Sequence, residues 1–159
     1  SIDNLINSLS FIEDLNFQLI IVGKGHLKTK LKNQAKKLNL NSKILWVEFV
    51  DDLKSFYKTI DIFVLTSKFE GLGLVFLEAM LCKKPVISSN TSAMREIIKN
   101  NRNGYLVKLD DPIALSEAII RLKNPIIRKK FGMQGYNLMK KKFSILKMYR
   151  EIKKVYLQK

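Results

Sequence analysis

The sequence predicts an α/β domain: a doubly wound parallel sheet with helices on both faces. Three observations predict it. Five short apolar runs alternate with longer segments of helical periodicity. Glycine, proline and Asn/Asp pairs fall at the junctions between them. The length, 159 residues with 47% hydrophobic residues, suits one domain with one such core.

The elements follow in order. Ile2, Leu5, Ile6 and Leu9 recur at helical spacing and predict an opening helix. The run FQLIIV over 17–22 ends at Gly23 and Gly25 and reads as a buried strand with a turn. Residues 26–39 carry Leu27, Leu31, Ala35 and Leu38 on one face with lysines between them, an amphipathic helix. A second strand is expected over 44–47. Asp51 and Asp52 then cap a short helix bearing Leu53, Phe56 and Tyr57. Strands are expected over 62–65, 85–88 and 105–107, and helices over 73–82 and 92–99. Asp111 followed by Pro112 opens a helix to Leu122. Two more helices are expected over 125–141 and 144–157. Ligands of such sheets bind beyond the carboxyl ends of the strands. The candidate loops are therefore 23–25, 48–52, 66–73, 88–92 and 108–111.

Composition excludes several classes. No apolar run is long enough to span a bilayer, and the first residues lack the pattern of a signal peptide. Cys82 is the only cysteine, so an internal disulfide and a cysteine metal cluster are excluded, and a reducing cytoplasm is expected. His26 is the only histidine, which excludes a multi-histidine metal site. It reads as a cap or surface residue. Residue 28 is Lys, so the third glycine of a dinucleotide fingerprint is missing after Gly23 and Gly25. The net charge of +15 is uneven. Residues 121–159 carry thirteen Lys/Arg against one acid (13 − 1 = +12), leaving +3 for the rest. Such a segment attracts an anionic membrane surface, or is simply a solvated helical face. Nucleic acid is not the expected partner.

The segment EGLGLVFLE over 70–78 carries the chemistry. Gly71 and Gly73 let a ligand approach the backbone. The helix they introduce begins with free N–H groups and a positive dipole end, suited to phosphate. Glu78 is an acid inside a mostly apolar helix and needs hydrogen-bond partners. Two adjacent sugar hydroxyls would supply them. The alternative is solvent exposure, or an ion pair with Lys83 or Lys84.

Glu70 and Glu78 are separated by seven residues, and this spacing with its flanks resembles the retaining group 1, or family 4, glycosyltransferases. These are exemplified by phosphatidylinositol mannosyltransferases and sucrose synthase. LIIVG over 19–23, DIFVLTS over 61–67, KPVI over 84–87, NGYLV over 103–107 and DPIAL over 111–115 resemble the family's other elements. The resemblance implies the Rossmann-like C-terminal half of a two-domain GT-B enzyme, binding a nucleotide-diphosphate sugar. It implies that Glu78 holds the ribose hydroxyls and that Glu70 acts as the catalytic residue near the anomeric carbon. Gly71, Leu72, Gly73, Leu74 and Val75 would cradle the distal phosphate and sugar. Val50 would receive the base, with Gly23 and Gly25 lining the same cleft. No metal or other cofactor is expected, because basic side chains and the helix dipole neutralise the diphosphate.

Two family features are expected to lie outside residues 1–159. They are a first strand followed by an Arg and a Lys that grip the diphosphate, and the N-terminal acceptor domain. Lys24 and Lys68 are the nearby cations. The helix over 144–157 resembles the final crossover helix, with an apolar stripe of Phe143, Ile145, Met148, Tyr149, Ile152, Val155 and Tyr156. A cytoplasmic protein, peripheral on the inner membrane face, is expected. Alternative readings are a non-catalytic nucleotide-sugar or membrane-binding module, and a GT-B sugar-nucleotide epimerase. The expected consequence is that the purified 159-residue chain alone transfers no sugar. A product assay with a nucleotide-sugar and an acceptor checks this, and clear turnover would contradict it.

Overall fold

The predicted alternation runs through the computed structural model, which describes residues 1–157. Helix α1 (Ile2–Leu9) passes through a 3-10 turn at Ser10–Ile12 and leads to β1 (Leu19–Val22). Then come α2 (Lys28–Lys37), β2 (Ile44–Val47), α3 (Leu53–Thr59), β3 (Phe63–Leu65) and α4 (Leu74–Leu81). The chain continues with β4 (Val86–Ser89), α5 (Ser92–Ile97), β5 (Gly104–Val107), α6 (Pro112–Arg121), α7 (Pro125–Lys142) and α8 (Ile145–Leu157).

The helix starts follow from local chemistry. The Asp52 carboxylate accepts from the Ser55 N–H at 3.0 Å, and the Asp111 carboxylate from the Ala114 N–H at 2.9 Å. Each satisfies an amide that the first helical turn leaves open. Asn124 does the same for α7, ahead of Pro125, through the N–H of Ile126 at 2.8 Å.

Every strand pair is parallel. Leu19 lies opposite Ile44, Phe63 opposite Val86, and Val86 opposite Gly104. One feature departs from the single sheet expected. The strands form two hydrogen-bonded sheets, β1–β2 and β3–β4–β5, and no ladder joins them among the described residues. Side-chain packing by α1 joins them instead. Leu5 enters the core over β4 and β5 with Ile87, Tyr105, Val107 and Leu115. Ile6 and Leu9 enter the core beside β1 and β2 with Leu31, Ala35, Leu40 and Ile44.

β4 is buried along its whole length and feeds both faces. Ile87 points into the core beneath α1 and α6, while Val86 packs with Phe76, Met80, Met94 and Ile97 on the other side. Alternate residues of one strand thus bury helices on opposite faces, the doubly wound arrangement. Helix α7 rests directly on the turn after α4: a Cβ at Gly132 would lie 1.9 Å from the Lys83 carbonyl oxygen.

Helix α8 behaves differently. Phe143, just ahead of it, packs against the core. Met148, Tyr149, Ile152, Val155, Tyr156 and Leu157 are 48–78% exposed. These six residues therefore do not cover this domain's own sheet, and the side chain of Ile145, another member of the expected stripe, lies outside what the structure describes. Residues 158–159 of the basic segment lie outside the described residues.

Gly132→Ala forces backbone apart where no flexible side chain can yield. It should destabilise the fold by about 1–3 kcal/mol, the range for overpacking. Urea unfolding followed by circular dichroism measures this as a lowered midpoint at unchanged slope.

Candidate functional site

Ser1 stands where three loops meet. Its carbonyl accepts from the Thr66 hydroxyl at 2.9 Å, just past β3. Its hydroxyl donates to the Asp110 carboxylate at 3.0 Å, just past β5. With Ile2 and Asp3 it also lines a cavity of about 330 Å³ whose other wall includes Gly23, Gly25 and His26, just past β1. The carboxyl ends of β1, β3 and β5 therefore converge on the start of α1. This is where a parallel sheet offers room for a ligand. Lys68 and Asp110 tie two of these loops again with a 2.9 Å ion pair. The hydrogen bond from Lys68 holds the Asp110 carboxyl below its ordinary range, and the same bond raises Lys68.

Gly73 starts α4 in the left-handed region, at φ +64°, where L side chains are strained. A Cβ there would also lie 2.9 Å from Met94 Cε. No side chain caps this helix, so its first-turn amides keep no side-chain acceptor. Around them Gly71, Leu72, Leu74 and Val75 are all exposed, and a Cβ at Gly71 would meet open space. Apolar side chains that a core helix would bury instead form a surface. Glu70 sits half-buried at its edge.

Glu78 lies one turn further along α4 and is half-buried. Its Oε2 accepts from the Tyr57 hydroxyl at 3.0 Å. The ion pair with Lys83 or Lys84, one alternative for Glu78, does not form. The Lys84 ammonium donates to the Lys58 carbonyl at 2.9 Å, and the Lys83 ammonium lies over the Tyr136 ring at 5.3 Å. Among the described residues neither Glu70 nor Glu78 has a salt bridge.

Tyr57 is the residue that sequence reasoning missed, having placed it only on a helix face. Its ring is 4% exposed and stands edge-on to Phe63, which stands edge-on to Phe76. Burial, then the bond to Glu78, pushes the phenol well above its ordinary value of 10.0. A signal was available. A tyrosine on the apolar face of a helix must find a partner for its hydroxyl when it is buried.

The remaining residues form a second wall. The Gly23 N–H donates to the Val47 carbonyl at 2.9 Å, carrying the ladder one residue past β1, and Gly23 and Gly25 share the cavity. Val50 is half-buried in the β2–α3 loop and is absent from that cavity's wall. It lies in the segment leading to α3, the helix that delivers Tyr57. Lys24 and Lys28 both pair with Glu48, at 3.4 and 2.9 Å, and the Lys28 bond holds the Glu48 carboxyl low. The two candidate cations, Lys24 and Lys68, are thus both engaged in exposed ion pairs. The Trp46 indole N–H, beside the cavity, is buried without a partner among the described residues. Among them, too, no group of three or more His, Cys, Asp or Glu side chains is placed to hold a metal.

Parallel strands with helices on both faces and a glycine-led helix at their carboxyl edge make this a Rossmann-like domain of the GT-B glycosyltransferase type, as its structural neighbours show. The fold matches the crystal structure of such a C-terminal domain, from a group 1 glycosyltransferase of Francisella tularensis. The TM-score is 0.81 at 27% identity, covering 90% of this chain and 79% of that one. The chain belongs to the family described as glycosyl transferases group 1, whose profile matches residues 1–138. It is 34% identical over 157 residues to an uncharacterised glycosyltransferase of Methanocaldococcus jannaschii, covering 98% of this chain and 44% of the relative. It is 31% identical over 139 residues to the UDP-Gal:α-D-GlcNAc-diphosphoundecaprenol α-1,3-galactosyltransferase of Escherichia coli, covering 87% of this chain and 36% of the relative. The chain therefore spans less than half the length of these two curated relatives.

The Tyr57 environment generates a pH prediction. The folded state keeps a phenol proton that the unfolded chain releases near pH 10.0. Stability from this group is complete below that pH and declines as pH rises above it. Spectrophotometric titration of the five tyrosines should show one that ionises late, and Tyr57→Phe should remove that phase. Five tyrosines titrating together in the folded protein would contradict the prediction.

Proposed function

We propose that this domain binds the nucleotide-diphosphate sugar of a retaining glycosyl transfer. The observation that carries the reading is a glycine-led helix start without a side-chain cap, with Glu78 one turn along the same helix held by the Tyr57 hydroxyl. Ribose hydroxyls donate to the Glu78 carboxylate. The diphosphate and the sugar lie over the amides of residues 72–75, where the helix dipole favours negative charge. Val50 and the glycine turn at 23–25 lie toward the base. Glu70 contacts the transferred sugar and stabilises the positive charge that develops at its anomeric carbon.

In the transfer step the bond from the anomeric carbon to the diphosphate breaks, and its electron pair leaves with the nucleoside diphosphate. The acceptor hydroxyl forms the new bond on the same face, and its proton passes to the departing phosphate oxygen. No metal takes part in this scheme. Charge on the leaving group is met by the α4 amides and by basic side chains. Lys24 and Lys68 are the candidates, and both would have to leave their ion pairs.

Acceptor choice falls to the acceptor domain of the whole enzyme. A parallel strand ahead of Ser1 suits the seam between β1 and β3, because Ser1 lies beside the carboxyl end of β3. Helix α8 carries an exposed apolar stripe edged by Lys147, Arg150, Lys153 and Lys154. That surface supports crossing to the acceptor domain, and its charge supports attraction to an anionic membrane.

Calorimetric titration of the full-length protein with UDP, GDP and ADP and their sugar conjugates tests the reading. One nucleotide family should bind, and Glu78→Ala should weaken it at least about a hundredfold, the loss of two hydrogen bonds to a charged group. Binding unaffected by Glu78→Ala would overturn the assignment. The anomeric configuration of the product, read by NMR, should match that of the donor.

A further inference from the structure

A carboxylate that grips a diol must present its oxygens at a fixed angle, and a half-buried Glu on an apolar helix has rotamer freedom that blurs this. The structure removes that freedom from α3. Tyr57 reaches across to α4 and donates its one hydroxyl proton at 3.0 Å to Glu78 Oε2. The Val75 carbonyl lies further off, at 3.3 Å, and the shorter, charge-assisted bond takes the proton. The phenol is held by burial in the core, with the Phe63 ring edge-on at 5.8 Å and the Phe56 ring at 5.9 Å. Glu78 Oε1 has no partner within the protein among the described residues, so one oxygen is committed and the other is presented.

Resting on the donor-site reading above, we infer that Tyr57 is a positioning residue for nucleotide recognition. It fixes the Glu78 carboxylate so that Oε1 faces the ribose, and it thereby sets the preference for a ribonucleotide over a deoxyribonucleotide. Tyr57 itself touches no ligand in this arrangement. Its hydroxyl is spent on Glu78, and its ring is spent on the core.

The test uses the full-length protein with UDP, GDP and ADP and their 2′-deoxy counterparts, carrying forward the tightest ribonucleotide. The wild-type protein should prefer the ribonucleotide. Tyr57→Phe keeps the ring and loses only the hydroxyl. It should cut that preference about tenfold, the value of one hydrogen bond to a charged group, while deoxynucleotide affinity stays within about twofold. Because Tyr57 acts through Glu78, adding Tyr57→Phe to Glu78→Ala should change the preference no further. Three results would overturn the inference. These are an unchanged preference in Tyr57→Phe, an equal loss for both nucleotides, and additive effects in the double variant. If the wild-type protein binds none of the three nucleotides, the donor-site reading fails first and this inference with it.

Discussion

Helix α4 has to bury one side completely while holding a carboxylate and an open helix end at the surface, and the neighbouring elements are arranged around that demand. Phe76, Ala79 and Met80 are fully enclosed, and Leu77 nearly so. Glu78 sits among them in sequence and must not follow them into the core unpaired, because an isolated buried charge is costly. The fold answers with a donor from outside the helix. α3 brings Tyr57, β3 brings Phe63 to brace it, and the tilted aromatic series continues into Phe76 of α4 itself. On the far side α7 approaches so closely that only glycine fits at residue 132. Rigid packing on one face leaves the other open, with Leu74, Val75 and Leu81 exposed and Glu78 half-buried.

The same economy appears at the carboxyl edge of the strands. Ser1, Thr66 and Asp110 join loops that are far apart in sequence, and Lys68 joins Asp110 a second time. Thr66 is buried, but the contacts to Asp110 are exposed, and exposed ion pairs rearrange at little cost. A site that must accept a highly charged ligand is better served by loosely held cations than by buried ones. Lys24, Lys28 and Lys68 are all of that kind. The α4 amides, by contrast, are fixed in direction by the helix backbone.

Helix α8 shows the domain's other allegiance. Met148, Tyr149, Ile152, Val155, Tyr156 and Leu157 are exposed outside the three cores, although Phe143 just before the helix joins one. Charge and exposure mark it as a surface for something other than this sheet. The match to relatives more than twice as long is in keeping with that.

Much of the fold was legible in the sequence because its signals are local. Apolar runs of four residues, Asp52 and Asp111 as caps and Gly73 at a helix start each act within a few residues of themselves, and each element appears within a few residues of its expected place. The Glu70–Glu78 pair was legible for the same reason: its spacing lies along one segment. Three things depended on the folded chain. Whether Glu78 meets a lysine or a tyrosine turns on a contact between α3 and α4, twenty-one residues apart. The division of the strands into two sheets turns on which strands reach bonding distance of each other, and β1 and β3 do not. The exposure of α8 turns on tertiary packing, which takes in Phe143 and leaves Met148, Tyr149, Ile152, Val155, Tyr156 and Leu157 outside. Sequence patterns carry short-range propensity and burial period. Partner choice across the fold is decided by packing, where only one of several locally acceptable neighbours arrives within bonding distance.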